Sequence, residues 1–223
     1  MAIPATYTFV VSDNAAICAS QTTGAAGALV INGTYVDQNA LGKSVRRALL
    51  PGGFGRPVTL NSTGALNGIN FTITGLDVYK RTVSETIAGP NNNTVSTTQE
   101  FETVTSITAD AAVGTAILVG IGTTGSTRPY TASTQLTPSN FALYGTISGT
   151  LTWSVQDSPT AINEILLGGA TPASIIWFNH PTLSSATSNL SSNYAFPVRF
   201  IRGVVNSSAS NASAQITITQ AGV

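Results

Sequence analysis

The chain has 223 residues, of which only 8% are charged, against about a quarter in an ordinary globular protein. Nine basic and nine acidic residues leave no net charge, which excludes a global basic field for nucleic acid. One cysteine excludes a disulfide scaffold, 42% hydrophobic residues exclude a disordered polyelectrolyte, and one histidine with few acids argues against a catalytic centre.

The N-terminus, MAIPATYTFVV, has no basic n-region and no small-residue cleavage site, so it does not read as a secretory signal. The longest apolar stretch, Ala111 to Gly122, is about 12 residues where a bilayer span needs about 20. The expectation is a protein made in the cytosol, neither exported nor anchored in a membrane. Ser, Thr and Asn make up roughly a third of the chain. The Asn-x-Ser/Thr triplets at Asn32, Asn61, Asn70, Asn206 and Asn211 are what such a composition produces by chance.

The dominant period is two. Tyr7, Phe9 and Val11 alternate with Thr8, Val10 and Ser12; Ile69, Phe71 and Ile73 alternate with Asn70, Thr72 and Thr74; Ile216 and Ile218 alternate with Thr217 and Thr219. Side chains on a strand point alternately to opposite faces, so this pattern predicts half-buried strands. Strands are expected near 6–11, 28–36, 57–61, 68–75, 78–87, 100–108, 115–122, 141–156, 174–178, 195–206 and 213–220. Turn signals such as Asn32-Gly33, Ser62-Thr63-Gly64 and Gly89-Pro90-Asn91 separate them. One short helix near 38–50 is predicted, capped by Asp37, with Leu41, Val45, Ala48 and Leu49 on one face and Pro51-Gly52-Gly53 as its stop. The stretch from Gly122 to Pro138 reads as a linker. The expected fold is all-β: an antiparallel β-sandwich or barrel, or two β-sandwich halves at 1–125 and 126–223, either separate or packed as one domain. A faint echo links Arg56–Thr74 with Arg202–Thr219, each a strand, an Asn/Ser loop and a Thr-rich strand.

Few motifs suggest chemistry. Gly120-Ile121-Gly122-Thr123-Thr124-Gly125 matches a dinucleotide fingerprint, but no amphipathic helix start follows and no acid occurs between Asp110 and Asp157. A Gly-rich strand end and loop is the better reading. His180 lies beside aromatic residues without ligand spacing around it, and reads as a packed or loop histidine. Glu100 and Glu102 have the separation of paired carboxylates, yet a solvent-facing pair, or one meeting Lys80-Arg81, is the simpler reading. No catalytic residue, cofactor or metal is implied. The one local charge feature is Lys43, Arg46, Arg47 and Arg56, with no acid between Asp37 and Asp77. It reads either as the polar face of the short helix or as a partner-binding cluster, for an acidic protein surface before DNA.

Low charge also bears on assembly. Sheet edges are ordinarily guarded by Lys, Pro or bulges, and here few charges are available for about eleven strands. Either barrels close those edges or neighbouring subunits cover them, which favours an ordered assembly: a homo-oligomer with closed symmetry, a trimer before other orders.

Two stretches, Asp77-Val78-Tyr79-Lys80-Arg81-Thr82-Val83-Ser84-Glu85-Thr86-Ile87-Ala88-Gly89-Pro90-Asn91 and Phe101-Glu102-Thr103-Val104-Thr105-Ser106-Ile107, carry a resemblance. So do Ala195-Phe196-Pro197-Val198-Arg199-Phe200-Ile201-Arg202 and the terminal Ile216-Thr217-Ile218-Thr219-Gln220-Ala221-Gly222-Val223. The chain resembles β-rich virion structural proteins of tailed bacteriophages over about a third of its length. The resemblance implies residence in the virion and no catalytic residues. The expectation is a capsid decoration, or cement, protein that binds the outer shell, with the major capsid protein or other virion proteins as partners and neither membrane nor nucleic acid among them. The alternative is a tail, collar or fibre component binding a host surface glycan or receptor through loop aromatics such as Tyr130, Tyr144, Trp153 and Trp177.

Overall fold

The computed structural model describes residues 3–40, 46–133, 140–160, 171–194 and 196–220. Among them there is no α-helix, only 3-10 turns, and every described strand pairing is antiparallel. The chain folds as two compact units. The first comprises Met1–Val11, Gly52–Phe54 and Thr124–Val223, and the second Ser12–Pro51 and Gly55–Thr123.

In the first unit one sheet has the order β1 (Ile3–Phe9), β18 (Ser213–Gln220), β13 (Phe141–Ser148) and β16 (Leu190–Tyr194). The register sets Tyr7 against Ile216 and Leu143 against Ile218. In the other sheet β14 (Leu151–Ser158) lies between β15 (Phe178–Asn179) and β17 (Phe200–Ser208). Strand β17 also pairs with β11 (Gly125–Thr127) and β12 (Tyr130–Thr131). Alternation aims Ala214, Ile216 and Ile218 of β18 inward, where they join Phe9, Leu143, Trp153, Val155, Ile201 and Val205 from both sheets in one core. Each such isoleucine, leucine, valine or phenylalanine contributes about 1.5–3 kcal/mol when fully buried. Glycines make room for the largest of them. A Cβ on Gly145 of β13 would sit 2.1 Å from Cη2 of Trp153 on β14, and one on Gly203 of β17 would sit 2.6 Å from Cδ1 of Ile216 on β18. The two sheets therefore meet face to face, bulk against absence of bulk.

In the second unit β5 (Phe54–Asn61, whose Phe54 counts with the first unit) runs between β8 (Thr94–Phe101) and β10 (Ile117–Ile121), and β2 (Cys18–Gln21) lies beyond β10. Its other sheet sets β6 (Asn70–Leu76) between β7 (Thr82–Ala88) and β9 (Thr103–Ala109). The outer side of β9 takes two short strands, β3 (Gly27–Ala28) and β4 (Ala48–Leu49). Along β6, Phe71 and Ile73 are buried, while the hydroxyls of Thr72 and Thr74 meet those of Thr86 and Ser84 at 2.8 and 3.0 Å. Such cross-strand pairs each add a few tenths of a kcal/mol, about 0.2–1.

Several expectations need correction. No described sheet closes into a barrel. The short helix near 38–50 is not formed where the chain is described. Gln38–Ala40 is a 3-10 turn and Ala48–Leu49 is strand β4, while 41–45 lies outside the described residues. Backbone bonds from Leu49 N–H to the Tyr35 carbonyl (2.9 Å) and from Leu50 N–H to the Glu102 carbonyl (3.0 Å) outcompete the helical period. The single strand expected over 141–156 is two strands in different sheets, with a corner at Gly149, where φ is 80°. The alternation continues on both sides of that corner, so it leaves no break in the pattern. At its far end the expected strand over 28–36 keeps an isolated antiparallel bridge, Val36 to Ala48, and it pairs with β9 only at its start. Further on, side chains replace strand neighbours: Val30 N–H donates to Gln21 Oε1 and Ala19 N–H to Asn32 Oδ1, both at 2.9 Å. The expected linker contains β11 and β12 and has buried Gly125, Ser126 and Thr127; 134–139 lies outside the described residues. Both members of the echo share a role. In each, the two strands belong to different sheets, β5 and β6 in one case, β17 and β18 in the other.

Candidate functional site

The four basic residues of the candidate cluster have different fates. Lys43 lies outside the described residues. Arg47 is bonded by its Nε to the buried Asp37 carboxylate at 2.9 Å. Arg56 is 2% exposed, and its Nε–H donates to the Gly122 carbonyl at 3.1 Å, with Nη2 donating to the same oxygen. Burial pulls its pKa down to about 10, against the opposing influence of Tyr35 and Glu100. Strand alternation turned this side chain inward, and its acceptor lies 66 residues further along the chain. Arg56 is thus a structural cation inside the second unit. Arg46 alone is a partly exposed cation with no described ion pair or hydrogen bond.

Arg46 borders a cleft of about 420 Å³ in the second unit. Its walls are the run Ala28–Ile31 on one side and Thr105 and Ser106 of β9 on the other. Leu29 and Ile31 are buried, while Ala28 and Val30 face out, Val30 at 51% exposure. No sequence signal marks these lining residues as a group, because two separate chain segments must dock on one strand to create the space.

The remaining candidates are structural. His180 is buried; its Nδ1 accepts the Thr182 N–H at 3.2 Å, its Nε2 lies 3.2 Å from the Asn193 carbonyl, and its ring meets Tyr194 edge-on at 4.7 Å. Both ring nitrogens are engaged, one in the local turn and the other with strand β16, in keeping with the packed-histidine reading. Glu102 sits between β8 and β9, and its carboxylate pairs with Lys80 Nζ at 2.7 Å, one of the two bland readings of that pair of acids. The glycine motif is a strand end and loop, as expected. Gly120 lies in β10, where an added Cβ would meet the Asp13 carbonyl at 2.1 Å, and β11 follows the loop. Burial pushes the Cys18 thiol up to about 12, despite a bond to Gln21, so it is a poor nucleophile. Among the described residues no group of three or more His, Cys, Asp or Glu is placed to hold a metal ion. None of their helices is long and apolar enough to cross a membrane.

The loop aromatics divide. Trp153 is in strand β14 at 0% exposure, which corrects its place among exposed aromatics. Tyr130 is half-buried and Tyr144 is exposed. Trp177 is half-buried, and the Arg202 guanidinium stacks over its ring at 4.1 Å. Arg202 Nε donates to Gln156 Oε1 at 2.8 Å, and Gln156 Nε2 donates to Asn179 Oδ1 at 2.9 Å, a polar row across β17, β14 and β15.

No family model matches the chain, and no curated protein sequence does. Among solved structures it is similar to allantoicase from Saccharomyces cerevisiae at 6% identity, over 81% of this chain and 78% of that one, with a TM-score of 0.22. It is similar to the major capsid protein P2 of bacteriophage PM2 at 10% identity, over 99% and 98% of the two chains, with a TM-score of 0.21. Superposition at that level specifies no shared fold, and neither similarity enters the functional reading.

Proposed function

We propose that the chain is a non-enzymatic structural protein of a tailed-phage virion, a capsid decoration protein that binds the outer shell as a homo-oligomer and bridges its subunits. The observation that supports this reading is the state of the sheet edges. Strands β1, β15 and β16 in the first unit each end a sheet, and none carries a charged residue. Pro4 in β1 is the one proline among them. An edge left with unpaired N–H and C=O groups and no gatekeeping cation is a template for another chain. Exposed Ile176, Phe178 and Phe196, at 63%, 54% and 52%, add apolar surface of the kind that partners cover. Together with the sequence resemblance, these features suit a protein that functions covered by neighbours.

Gel densitometry of purified particles against the major capsid protein tests the reading. A decoration protein is present at a copy number comparable to that of the shell subunit. Presence in only a few copies per particle, or absence from particles, rejects it. A monomer by light scattering at high concentration rejects the homo-oligomer.

The second reading, a glycan-binding tail or fibre component, draws on the Trp177–Arg202–Gln156–Asn179 face, where an aromatic ring adjoins aligned amides and a guanidinium. It requires binding to host surface glycan that Trp177→Ala abolishes.

A further inference from the structure

One side of β9 is paired by β6. The other side is paired by β3 at Ala109 and Thr108, by the Leu29 N–H at the Ile107 carbonyl (2.8 Å), and by β4 at Val104 and Thr103. Between these two short partners no described strand pairs with Thr105 or Ser106 on that side. The interruption opens into the cleft of about 420 Å³ described above. That volume is near the lower end of the about 300–1,000 Å³ range of small binding sites, room for a few residues and no more. Its apolar wall is preformed. The Val30 N–H donates to Gln21 Oε1 at 2.9 Å and the Val30 carbonyl accepts from Gln21 Nε2 at 3.0 Å, which holds Ala28 and Val30 facing outward. At the border stands Arg46. Asp37, whose backbone N–H bonds the carbonyl of the neighbouring Arg47, has its carboxylate engaged with the Arg47 side chain.

We propose that this cleft takes an extended acidic segment of a partner protein. The segment lies along Thr105 and Ser106 as a short added strand, sets an apolar side chain against Ala28 and Val30, and places a carboxylate on Arg46. Main-chain bonds then supply affinity and the alternating side chains supply selectivity. Charge complementarity selects the occupant. In a protein with so few charges, a cation with no described partner beside a strand gap matches a carboxylate, and arginine binds carboxylates through two parallel N–H donors. The inference rests on the reading of the chain as one that docks onto a protein surface, and it narrows the expected basic cluster to Arg46.

The test is an NMR titration of the full chain with two blocked pentapeptides, acetyl-Thr-Val-Asp-Val-Thr-amide and its Asp-to-Asn counterpart. The acidic peptide should shift the amides of Val30, Thr105 and Ser106, and the neutral one should bind about tenfold more weakly, the size of one charge-assisted contact. Arg46→Gln should erase the difference between the peptides, and Val30→Asp, at an exposed position, should weaken the acidic peptide. Equal binding of both peptides, shifts confined to other strands, or no shifts at millimolar peptide overturns the proposal. Binding of the whole chain to undecorated particles separates the two claims. Absence of binding by the unsubstituted chain defeats the virion reading, while the peptide titration still decides the cleft. Particle binding that Arg46→Gln leaves unchanged defeats the cleft alone.

Discussion

The two units hold their turns with different chemistry. Thirteen of the eighteen charged residues belong to the second unit. There, carboxylates capture backbone amides: Asp13 takes Ala15 N–H at 2.8 Å, Asp37 takes Asn39 N–H at 3.0 Å, and Asp77 takes Tyr79 and Arg81 N–H at 2.8 and 2.9 Å. Glu85 on β7 similarly takes Thr98 and Gln99 N–H on β8, both at 2.9 Å or less. In the first unit neutral side chains do the same work. Asn189 takes Ile147 N–H, Ser154 takes Ser185 N–H and Gln220 takes Ser133 N–H, each at 2.8 Å. The first unit instead concentrates aromatic packing, with edge-to-face pairs Phe9–Phe54, Tyr130–Phe141, His180–Tyr194 and Tyr194–Phe196. Hydrogen bonds to a charged acceptor are roughly twice as strong as neutral ones, and they answer to pH. The contrast teaches that few charges need not mean weak loops. A short carboxylate can secure a turn locally, while a unit nearly without charges relies on bulk in the core and on amide and hydroxyl side chains.

The largest expected effect would break the contrast from the aromatic side. Trp153→Ala should cost about 3–5 kcal/mol in urea unfolding followed by circular dichroism, because it removes the central ring and leaves a cavity. Gly145→Ala drives a methyl into the same ring from the opposite sheet, at a cost of about 1–3 kcal/mol or more. A loss below about 1 kcal/mol from Trp153→Ala would show that aromatic packing is not what holds the first unit.

Next is Arg56, the charge that departs from the stapling pattern by sitting inside. Arg56→Ala should cost about 3 kcal/mol, since the Gly122 carbonyl loses a charged donor in a buried site. Arg56→Lys should recover little of it, because an ammonium cannot reproduce the guanidinium fork. Full recovery in thermal melts would assign the effect to charge alone.

A smaller effect lies at alkaline pH in the first unit. Burial first, and then the Asp157 carboxylate that accepts the Tyr194 hydroxyl at 3.1 Å, raises the Tyr194 pKa above its ordinary value. The folded state keeps this proton when the unfolded chain loses it, so stability is fully present below about pH 10 and falls as pH rises further. Tyr194→Phe should start about 1 kcal/mol lower and show a flatter decline. Identical slopes in the two proteins would rule out Tyr194 as the source.

The smallest effect tests a carboxylate staple in the second unit. Bonds from the backbone N–H and side-chain amide of Asn70 hold the exposed Asp110 carboxyl below its ordinary pKa. The contribution is present above the unfolded value of about 3.9 and is lost as pH falls through the lower folded value. Hydrogen exchange at the Asn70 amide should therefore speed up in acid beyond its intrinsic rate, and Asp110→Asn should remove that dependence. An amide equally protected at both ends of the acid range would contradict it.

Local residue patterns by themselves determined the class of this fold. A period of two needs only neighbouring residues, so β1, β6 and β18 were legible in Tyr7-Thr8-Phe9, Phe71-Thr72-Ile73 and Ile216-Thr217-Ile218. The glycine motif as a strand end and His180 as a packed residue were equally legible, because nucleotide and metal chemistry demand further residues at set spacings. What only the tertiary structure decided depends on distant partners. Ala48 and Leu49 fit a helical face in sequence, but β9 offered their backbone hydrogen bonds. Arg47 and Arg56 were neighbours in a basic cluster, yet one met Asp37 and the other was turned inward to Gly122. Trp153 read as a candidate exposed aromatic until Gly145 on the facing sheet gave it room. The gap at Thr105 and Ser106 exists only because β3 and β4 end short of each other on β9. Alternation says which face of a strand is buried; which strand lies beside it, and where that partner stops, is set by packing between residues far apart in the chain.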